Sequence, residues 1–188
     1  MLEATPRPGT AVVLAVSRSP THSFSKSPQP VVELIADFGV EGDAHAGFHV
    51  KHRYRVRKNP AALNLCQVHL LAAELLSELK DRGIVLAPGE MGENITTEGV
   101  DLIALPLGTL LHLGPAAVVE ITGLREPCSQ MNGCRPGLMK AVLARDDKGA
   151  LIRKAGIMGV VRLGGLVHPG DTLRITLPPA PHRPLGPV

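Results

Sequence analysis

One cysteine, Cys128, has the sequence surroundings of a reactive thiol. It lies in the polar segment 124–130 (Leu-Arg-Glu-Pro-Cys-Ser-Gln), directly after the alternating apolar run 116–122. A thiol at the end of a strand, behind a proline that fixes the backbone and close to Arg125, is expected to be exposed, held still and partly ionised. The alternative is a buried cysteine that acts as a small apolar side chain. The polarity of the segment favours the reactive thiol.

Positive charge is concentrated in one stretch, Lys51–Lys58, whereas the net charge of the whole chain is only +3. Such a stretch is either a solvated loop or a phosphate clamp, because arginine presents a planar fork that matches phosphate oxygens. Lys26, which lies among serines in the segment 23–27, is a further candidate for an anion site.

Two glycine-containing segments carry polar side chains that suit a ligand. The segment 89–99 holds Asn94 and Thr96, and fixed amide and hydroxyl groups of this kind recognise a polar heterocycle. The same side chains also satisfy the backbone of an ordinary loop. The segment 39–47 places an aspartate and a histidine between glycines, as either a tight turn or a close approach to a ligand requires. The histidines in and after it lack the spacing of a zinc site.

Length and composition favour one globular domain. The 188 residues are 44% hydrophobic and 20% charged, and only 2% are aromatic, which disfavours the base-stacking surfaces of nucleic-acid-binding proteins. The N-terminus lacks the apolar core of a signal peptide, and no apolar run approaches the length of a membrane span. The three cysteines form no Cys-x-x-Cys pair, as in proteins of a reducing compartment. We therefore expect a cytoplasmic protein without membrane contact, and nucleic acid is an unlikely partner.

The elements that must position these residues are mostly strands. Alternating or apolar runs between turn signals predict six of them, at 11–16, 31–35, 109–113, 116–122, 157–163 and 172–177. Leucines at helical spacing predict a helix over 71–82, and a second helix is predicted at 138–144. Repeated Gly-containing turns that lead into strands suit a barrel. Residues 1–9 and the proline-rich residues 178–188 are predicted to be mobile ends around a single domain at 10–177.

Five motifs, taken in order, resemble those of the MOSC family, the domain at the C-terminal end of eukaryotic molybdenum cofactor sulfurases that also occurs as standalone bacterial proteins. The match runs from about Ser17 to Leu177. The motifs are Gly39–Gly47 (Gly-Val-Glu-Gly-Asp-Ala-His-Ala-Gly), Asn64-x-x-Gln67-Val68-His69-Leu70, Pro88–Thr97 (Pro-Gly-Glu-Met-Gly-Glu-Asn-Ile-Thr-Thr), Gly108-x-x-Leu-x-x-Gly114 and Arg125-x-Pro127-Cys128.

The resemblance implies a mainly β, barrel-like MOSC fold with a few short helices. It also implies that Cys128 is the family's cysteine, which is proposed to carry a persulfide in the sulfurases. In the amidoxime-reducing proteins and the bacterial 6-hydroxylaminopurine reductases it is proposed to ligate molybdenum. A thiolate is both a soft metal ligand and a nucleophile for sulfane sulfur, so both roles stay open.

The cofactor that the resemblance implies, molybdopterin, carries a phosphate and a hydrogen-bonding pterin. Side-chain chemistry then assigns candidate ligands, cations to the phosphate and fixed polar groups to the pterin or phosphate. These are Lys26, Arg53 and Arg57 for the phosphate, and Asn94, Thr96 and Arg125 for the pterin or phosphate.

The expected function is that of a molybdenum cofactor-dependent oxidoreductase that reduces small N-hydroxylated compounds of the hydroxylaminopurine or amidoxime type, with Cys128 as the metal ligand. The alternative is a sulfur-carrier module, in which Cys128 takes a persulfide from a cysteine desulfurase and delivers it to an acceptor. A third interpretation is an anion- or nucleic-acid-binding protein in which Cys128 is incidental. The chain has no Cys-rich cluster motif and no length for a pyridoxal phosphate-dependent domain. An electron-donor protein or a desulfurase is therefore expected as a partner, and no pyridoxal phosphate on this chain.

Overall fold

The computed structural model describes residues 11–51 and 53–188, and it describes their side chains except at 53–55. The predicted mobile N-terminus, residues 1–9, and the side chain of Arg53 lie outside this part. Within it the protein is mainly β-structure with a few short helices, as predicted. The strands are β1 (Val12–Arg18), β2 (Ser27–Gln29), β3 (Val32–Ile35), β4 (Gly39–Val40), β5 (Val68–Ala72), β6 (Ile95–Glu98), β7 (Leu110–Leu113), β8 (Ala117–Leu124), β9 (Leu143–Arg145), β10 (Leu151–Arg153), β11 (Ile157–Leu163), β12 (Gly165–Val167) and β13 (Leu173–Thr176).

Four short α-helices and one 3-10 turn connect the strands. They are α1 (Arg53–Lys58), α2 (Ala73–Asp81), α3 (Gln130–Cys134), α4 (Leu138–Ala141) and the 3-10 turn Leu102–Ala104. The second predicted helix is shorter than expected, because residues 143–145 pair with β10 instead of continuing α4. In the described part of the chain, no helix has the length and apolar character needed to cross a membrane.

Eight strands form the main sheet, in the order β13-β7-β8-β11-β5-β6-β1-β2, and only the pair β5–β6 is parallel. Two smaller sheets are formed by β12-β3-β4 and by β10-β9. The barrel-like prediction is not confirmed, since the main sheet is not closed. A single bridge joins Val12 of β1 to Thr172 before β13. Backbone hydrogen bonds accompany this bridge, from the N–H of Val13 to the carbonyl of Asp171 (2.8 Å) and from the N–H of Leu173 to the carbonyl of Ala11 (2.8 Å).

Two apolar clusters lie on the two sides of the main sheet. Successive side chains of a strand alternate between faces, so Leu70 belongs to the larger cluster with Ile95 and Ile157, whereas Leu71 belongs to the second. The second cluster also contains Leu75, Leu76 and Leu79 of α2 together with residues of α3 and α4. These helices are therefore attached by apolar contacts to the face of the main sheet on which Leu71 lies.

One row of residues crosses five neighbouring strands near the end of β8. Met158 of β11 pairs with Gly123 of β8 and with His69 of β5. The backbone N–H of Asn94, just before β6, donates to the carbonyl of His69 (2.8 Å), and the backbone N–H of Ser17 in β1 donates to the carbonyl of Asn94 (2.7 Å). The sheet thus brings together side chains that are far apart in sequence.

The loop before β6 is held by the buried carboxyl of Glu93. Its Oε1 accepts hydrogen bonds from the backbone N–H of Gly89 (2.6 Å) and the hydroxyl of Thr96 (3.0 Å). Gly89 has a φ of +85°, and a Cβ there would lie 2.7 Å from Ser17 Oγ, so only glycine fits this turn. The other oxygen, Oε2, and Ser17 Oγ are buried without a hydrogen-bond partner among the described residues.

Residues 178–188, predicted to be a mobile tail, are hydrogen-bonded to the rest of the protein. The N–H of Leu107 donates to the carbonyl of Arg183 (2.9 Å), and the N–H of Leu124 donates to that of Gly186 (2.8 Å). The N–H of Val188 donates in turn to the carbonyl of Leu124 (3.1 Å). Proline lacks an N–H, but the carbonyls of such a segment still accept, and Val188 supplies a donor. Proline content alone therefore does not predict these contacts.

Replacing Glu93 with glutamine is expected to stabilise the protein increasingly as pH rises. Burial raises the pKa of Glu93 above its ordinary value of 4.5, against the opposing hydrogen bonds from Gly89 and Thr96. A carboxyl whose pKa is higher in the folded protein than in the unfolded chain contributes its full stabilisation at a pH below the pKa of the unfolded chain. That contribution is lost as pH rises through the pKa of the folded protein. A glutamine at this position has no such loss and keeps the Oε1 acceptor for Gly89 and Thr96. We expect Glu93→Gln to gain about 1 kcal/mol over wild type at about pH 9, and less at about pH 5.

Urea denaturation of both proteins at the two pH values measures this difference. Glu98→Gln, at an exposed position on β6, is the control and leaves the difference independent of pH. A Glu93→Gln protein that is less stable than wild type at both pH values would show that the carboxylate is required in its charged form.

Candidate functional site

Cys128 is fixed at the end of β8, beside the start of β11. The N–H of Arg125 donates to the carbonyl of Gly156 (3.0 Å), and the N–H of Met131 in α3 donates to the carbonyl of Cys128 (3.1 Å). Pro127 between them is buried. The thiol is half-buried, and its Sγ lies 3.9 Å from Oε1 of Gln130. The backbone on both sides of the thiol is thus held, as the sequence predicts.

The thiol lies on a cavity of about 700 Å³ that collects side chains from most of the predicted motifs. Four predicted site residues line it: Lys26, Asn94, Arg125 and Cys128. Other polar lining residues are His45, Asn64, Lys58 and His69. Cys66, Met158, Pro187 and Val188 are among the remaining ones.

Two predicted site residues, Thr96 and Arg57, are not among the described residues that line the cavity. Thr96 is buried, donates its hydroxyl to Glu93 and is not among the described residues that line the cavity. Arg57 is exposed on α1 and is likewise not among them, whereas its neighbour Lys58 is. Arg53 has no described side chain. Among the described side chains of the basic stretch, that of Lys58 lines the cavity.

A buried ion pair joins Lys26, which lines the cavity, to Asp43, which is not among the described lining residues. Lys26 Nζ lies 2.7 Å from Asp43 Oδ2, and both side chains are almost fully buried. Asp43 also accepts hydrogen bonds from Asn94 Nδ2 (3.0 Å) and from the backbone N–H groups of Ser19 (3.2 Å) and His45 (2.9 Å). A buried charge is tolerated when it is paired and hydrogen-bonded in this way. Asp43 thereby connects segments from four parts of the chain.

The surroundings of this pair keep Asp43 ionised. Burial by itself raises the pKa of Asp43, but the hydrogen bonds from His45 and the charge of Lys26 outweigh it and hold the pKa well below the ordinary value. Burial also lowers the pKa of Lys26, against the attraction of Asp43. We take the pair as an ammonium and a carboxylate, because the ammonium, amide and backbone N–H groups around Asp43 are all hydrogen-bond donors.

Asn94 positions the network instead of presenting free polar groups to a ligand. Its Nδ2 donates to Asp43 and to the carbonyl of Ser17 (3.1 Å), and its Oδ1 accepts from the backbone N–H of His69 (3.2 Å). Both amide hydrogens are therefore used within the protein. These bonds give Asn94 a structural role at the cavity wall, and its contact with a pterin or phosphate stays a prediction.

Arg125 is the cation nearest to the thiol in sequence and interacts with it electrostatically. Its Nη1 donates to the carbonyl of Met91 (2.6 Å), and its guanidinium carbon lies 5.4 Å from the centre of the Phe24 ring. Burial lowers the pKa of Arg125, but arginine stays charged at physiological pH. The guanidinium is thus held in place by a carbonyl and a ring, and it has further N–H donors for an anion.

His69 is a neutral member of the cavity wall. Burial, together with the charge of Arg125, holds the pKa of His69 well below its ordinary value of 6.5. Nε2 donates to the carbonyl of Ala155 (2.9 Å), because a carbonyl can only accept, so the proton lies on Nε2. This imidazole adds no charge to the cavity.

The sequence reasoning did not name Asp43, His69, Cys66 or Met158 as site residues. Asp43 and His69 lie inside two of the five motifs, and the position of Asp43 between glycines could have identified it as a site residue. Met158 and Cys66 lie beside apolar runs that suggest only core packing. No group of three or more His, Cys, Asp or Glu side chains in the described part of the chain is arranged to hold a metal.

Solved structures with the same fold include three bacterial proteins. The YuaD protein from Bacillus subtilis superposes with a TM-score of 0.72 at 23% identity, covering 88% of this chain and 95% of that chain. YiiM from Geobacillus stearothermophilus gives a TM-score of 0.62 at 20% identity, covering 88% of this chain and 75% of that chain. YiiM from Escherichia coli gives 0.60 at 16% identity, covering 91% and 72%. No curated protein matches the sequence significantly.

A match of the sequence to a family model identifies the family of the chain more specifically than these structural similarities at low sequence identity do. The family model of the MOSC domain matches residues 51–174, which include the basic stretch, β5, the Glu93 loop and the cysteine segment after β8. That range is well over half of the 188 residues and contains four of the five motifs. The chain therefore belongs to the MOSC domain family.

Proposed function

We propose that this protein binds the molybdenum cofactor and reduces small N-hydroxylated compounds of the hydroxylaminopurine or amidoxime type, with Cys128 as the molybdenum ligand. The observation that carries the proposal is the combination, in one cavity, of a soft thiol with buried and half-buried cations. Thiolate suits molybdenum, and lysine and arginine suit a phosphate.

The cavity fits such a cofactor in size and in donor chemistry. Its volume of about 700 Å³ lies in the usual range for small-molecule sites. Lys26 has three N–H donors, and Asp43 occupies one of them. Arg125 has five, of which the Nη1 contact to Met91 uses one. Both cations thus retain donors for phosphate oxygens while their positions are fixed by the protein.

The protein's own residues supply binding, orientation and exclusion of water. When bound, the molybdenum centre supplies the two-electron redox chemistry. Cys128 contributes a ligand on a held backbone, and Lys26 and Arg125 attract and orient the anionic group. Neutral His69 and apolar Met158 line the wall without adding charge.

Reduction of an N-hydroxylated compound consumes two electrons, which a donor must supply. We propose an electron-donor protein in the cytoplasm as the partner, approaching near Lys58 of α1, which lines the cavity. Small polar substrates enter the same cavity.

The second candidate function is sulfur transfer, and the half-exposed thiol favours it. The Cys128 thiolate attacks the terminal sulfur of a desulfurase persulfide. The sulfur–sulfur bond of the donor breaks, its cysteine leaves as a thiolate, and the new persulfide on Cys128 passes to an acceptor. Arg125, which interacts electrostatically with Cys128, provides a positive charge for this segment.

Cys128→Ser is expected to abolish molybdenum binding. Wild type and variant are expressed in a cofactor-replete host, and metal content is measured by plasma mass spectrometry together with pterin fluorescence. Wild type is expected to hold molybdenum and pterin near stoichiometry, and the variant to lose the metal because serine is a harder and far less acidic ligand. Cys134→Ser, at a half-buried thiol that is not among the described lining residues, is the matched control and keeps both. Wild type without molybdenum and pterin would contradict the proposal.

Removing the charge of Lys26 is expected to weaken cofactor retention. Lys26→Met alone leaves Asp43 as an unpaired buried carboxylate, so the informative variant is the double substitution Lys26→Met, Asp43→Asn. Loss of a charge-assisted contact to phosphate lowers affinity by about tenfold to a hundredfold, measured as pterin retained per protein after dilution and gel filtration. Arg57→Ala, at an exposed position away from the cavity, is expected to change nothing. Equal retention in the double variant and wild type would remove Lys26 from the phosphate site.

The sulfur-transfer candidate is tested by incubating cofactor-free protein with a cysteine desulfurase, its pyridoxal phosphate and cysteine. Intact-protein mass spectrometry is expected to show one added sulfur that maps to Cys128 and is removed by a reductant. Cys134, which is not among the described residues that line the cavity, serves as the internal control without the adduct. No adduct at Cys128, or equal adducts at all three thiols, would count against a carrier function.

A further inference from the structure

The segment 185–188 forms part of the wall of the Cys128 cavity. Pro187 and Val188 line the cavity together with Cys128 and Met158. Leu185, just before them, packs against the larger apolar cluster. The segment therefore joins the core at one end and the cavity at the other.

The backbone of β8 holds this segment in place. The N–H of Leu124 donates to the carbonyl of Gly186 (2.8 Å), and the N–H of Val188 donates to the carbonyl of Leu124 (3.1 Å). Leu124 and Pro187 form a parallel bridge. Since Leu124 is the last residue of β8, the same strand end that carries the cysteine segment also carries this part of the cavity wall.

Gly123 provides the space in which the segment lies. A Cβ at this position would be 2.6 Å from the carbonyl oxygen of Gly186 and 2.9 Å from Val188 Cβ, closer than real Cβ atoms approach. The nearest atoms to that Cβ all belong to Gly186 and Val188. Gly123 pairs with Met158 on β11, and Met158 lines the cavity. Any side chain at 123 must therefore displace the wall.

The side chains of this wall are apolar, in contrast to the cationic part of the cavity. Proline, valine and methionine side chains offer no strong donor or acceptor, so this wall selects a ligand by its shape and not by hydrogen bonding. Apolar walls of this kind discriminate mainly against groups that are too large, because an oversized group must displace packed atoms.

We propose that the segment Gly186–Val188 is the specificity-determining wall of the Cys128 cavity, admitting compact reactants to the thiol and excluding bulky ones. The proposal rests on Cys128 as the reactive group of the proposed function. The cavity wall limits the reactants by size, whether the thiol ligates a metal or carries sulfur.

Two variants remove the wall in different ways. Deleting Pro187 and Val188 removes its side chains and keeps Leu185 in the core. Gly123→Ala keeps those side chains and displaces them. The measurement is the alkylation rate of Cys128, resolved by peptide mass spectrometry, with compact iodoacetamide and with bulky N-pyrenylmaleimide. The protein is expressed in a cofactor-deficient host so that the thiol is free to react.

Both variants are expected to react with the bulky reagent about tenfold faster than wild type, while the rate with iodoacetamide changes less than about twofold, as for an apolar pocket that discriminates by size. Gly133→Ala in α3, where a Cβ meets nothing within 4 Å, is the matched control and keeps the wild-type rates. Alkylation of Cys134 reports general loosening of the fold. Unchanged selectivity in both variants, or an equal acceleration at Cys134, would overturn the proposal.

This result is independent of cofactor binding. If Cys128 is size-selective but the protein binds no molybdenum, the proposal of a specificity-determining wall holds and the proposed reductase function is wrong. A protein that binds molybdenum but shows no change in selectivity would retain the reductase and reject the wall.

Discussion

The buried carboxylate of Asp43 is the group around which the cavity is organised. It pairs with Lys26 at 2.7 Å and accepts hydrogen bonds from Asn94, Ser19 and His45. A carboxylate out of contact with water is costly unless such partners surround it. The loop at 43–45, the end of β1, the segment with Lys26 and the residue before β6 must therefore stay together for the fold to be stable. One charge sets the relative positions of four wall segments.

The same pair sets the charge that a ligand meets. The negative charge of Asp43 offsets the positive charge of Lys26 and orients the lysine, while the carboxylate itself is almost fully buried. Arg125 and Lys58 add positive charge to the lining, and Glu126 is an acidic lining residue. His69 is kept neutral by burial. The cavity is thus mildly cationic, with its cations placed by other protein groups and not by the ligand. Such preorganisation lowers the cost of binding an anion.

Six of the thirteen described strands correspond to predicted runs, because alternation of apolar and polar residues is a local property that pairing in the sheet preserves. The central strands β5 and β6 were not predicted, since their residues are buried in succession and do not alternate. The sequence also singled out Cys128, Lys26 and Arg125, whose chemistry is unusual for their surroundings and which the fold brings to one cavity. It was less informative where a side chain's role depends on distant partners. Thr96 and Asn94 looked like ligands, but their polar groups are used by Glu93, Asp43 and backbone atoms. The hydrogen bonds of the tail were not predicted, because its partner, Leu124, lies far away in the sequence.

The hydrogen bond between His69 and Ala155 joins residues 86 positions apart, and that between Asn94 and Ser17 joins residues 77 apart. Contacts of such high sequence separation form late, because the loops between them must close first. His69 of β5 lines the cavity, so the chain must be synthesised past Ala155 before this histidine has its hydrogen-bond partner. A nascent chain therefore exposes the Cys128 thiol before the surrounding walls exist. In that interval the thiol is more accessible to oxidants than in the folded protein, where it is half-buried.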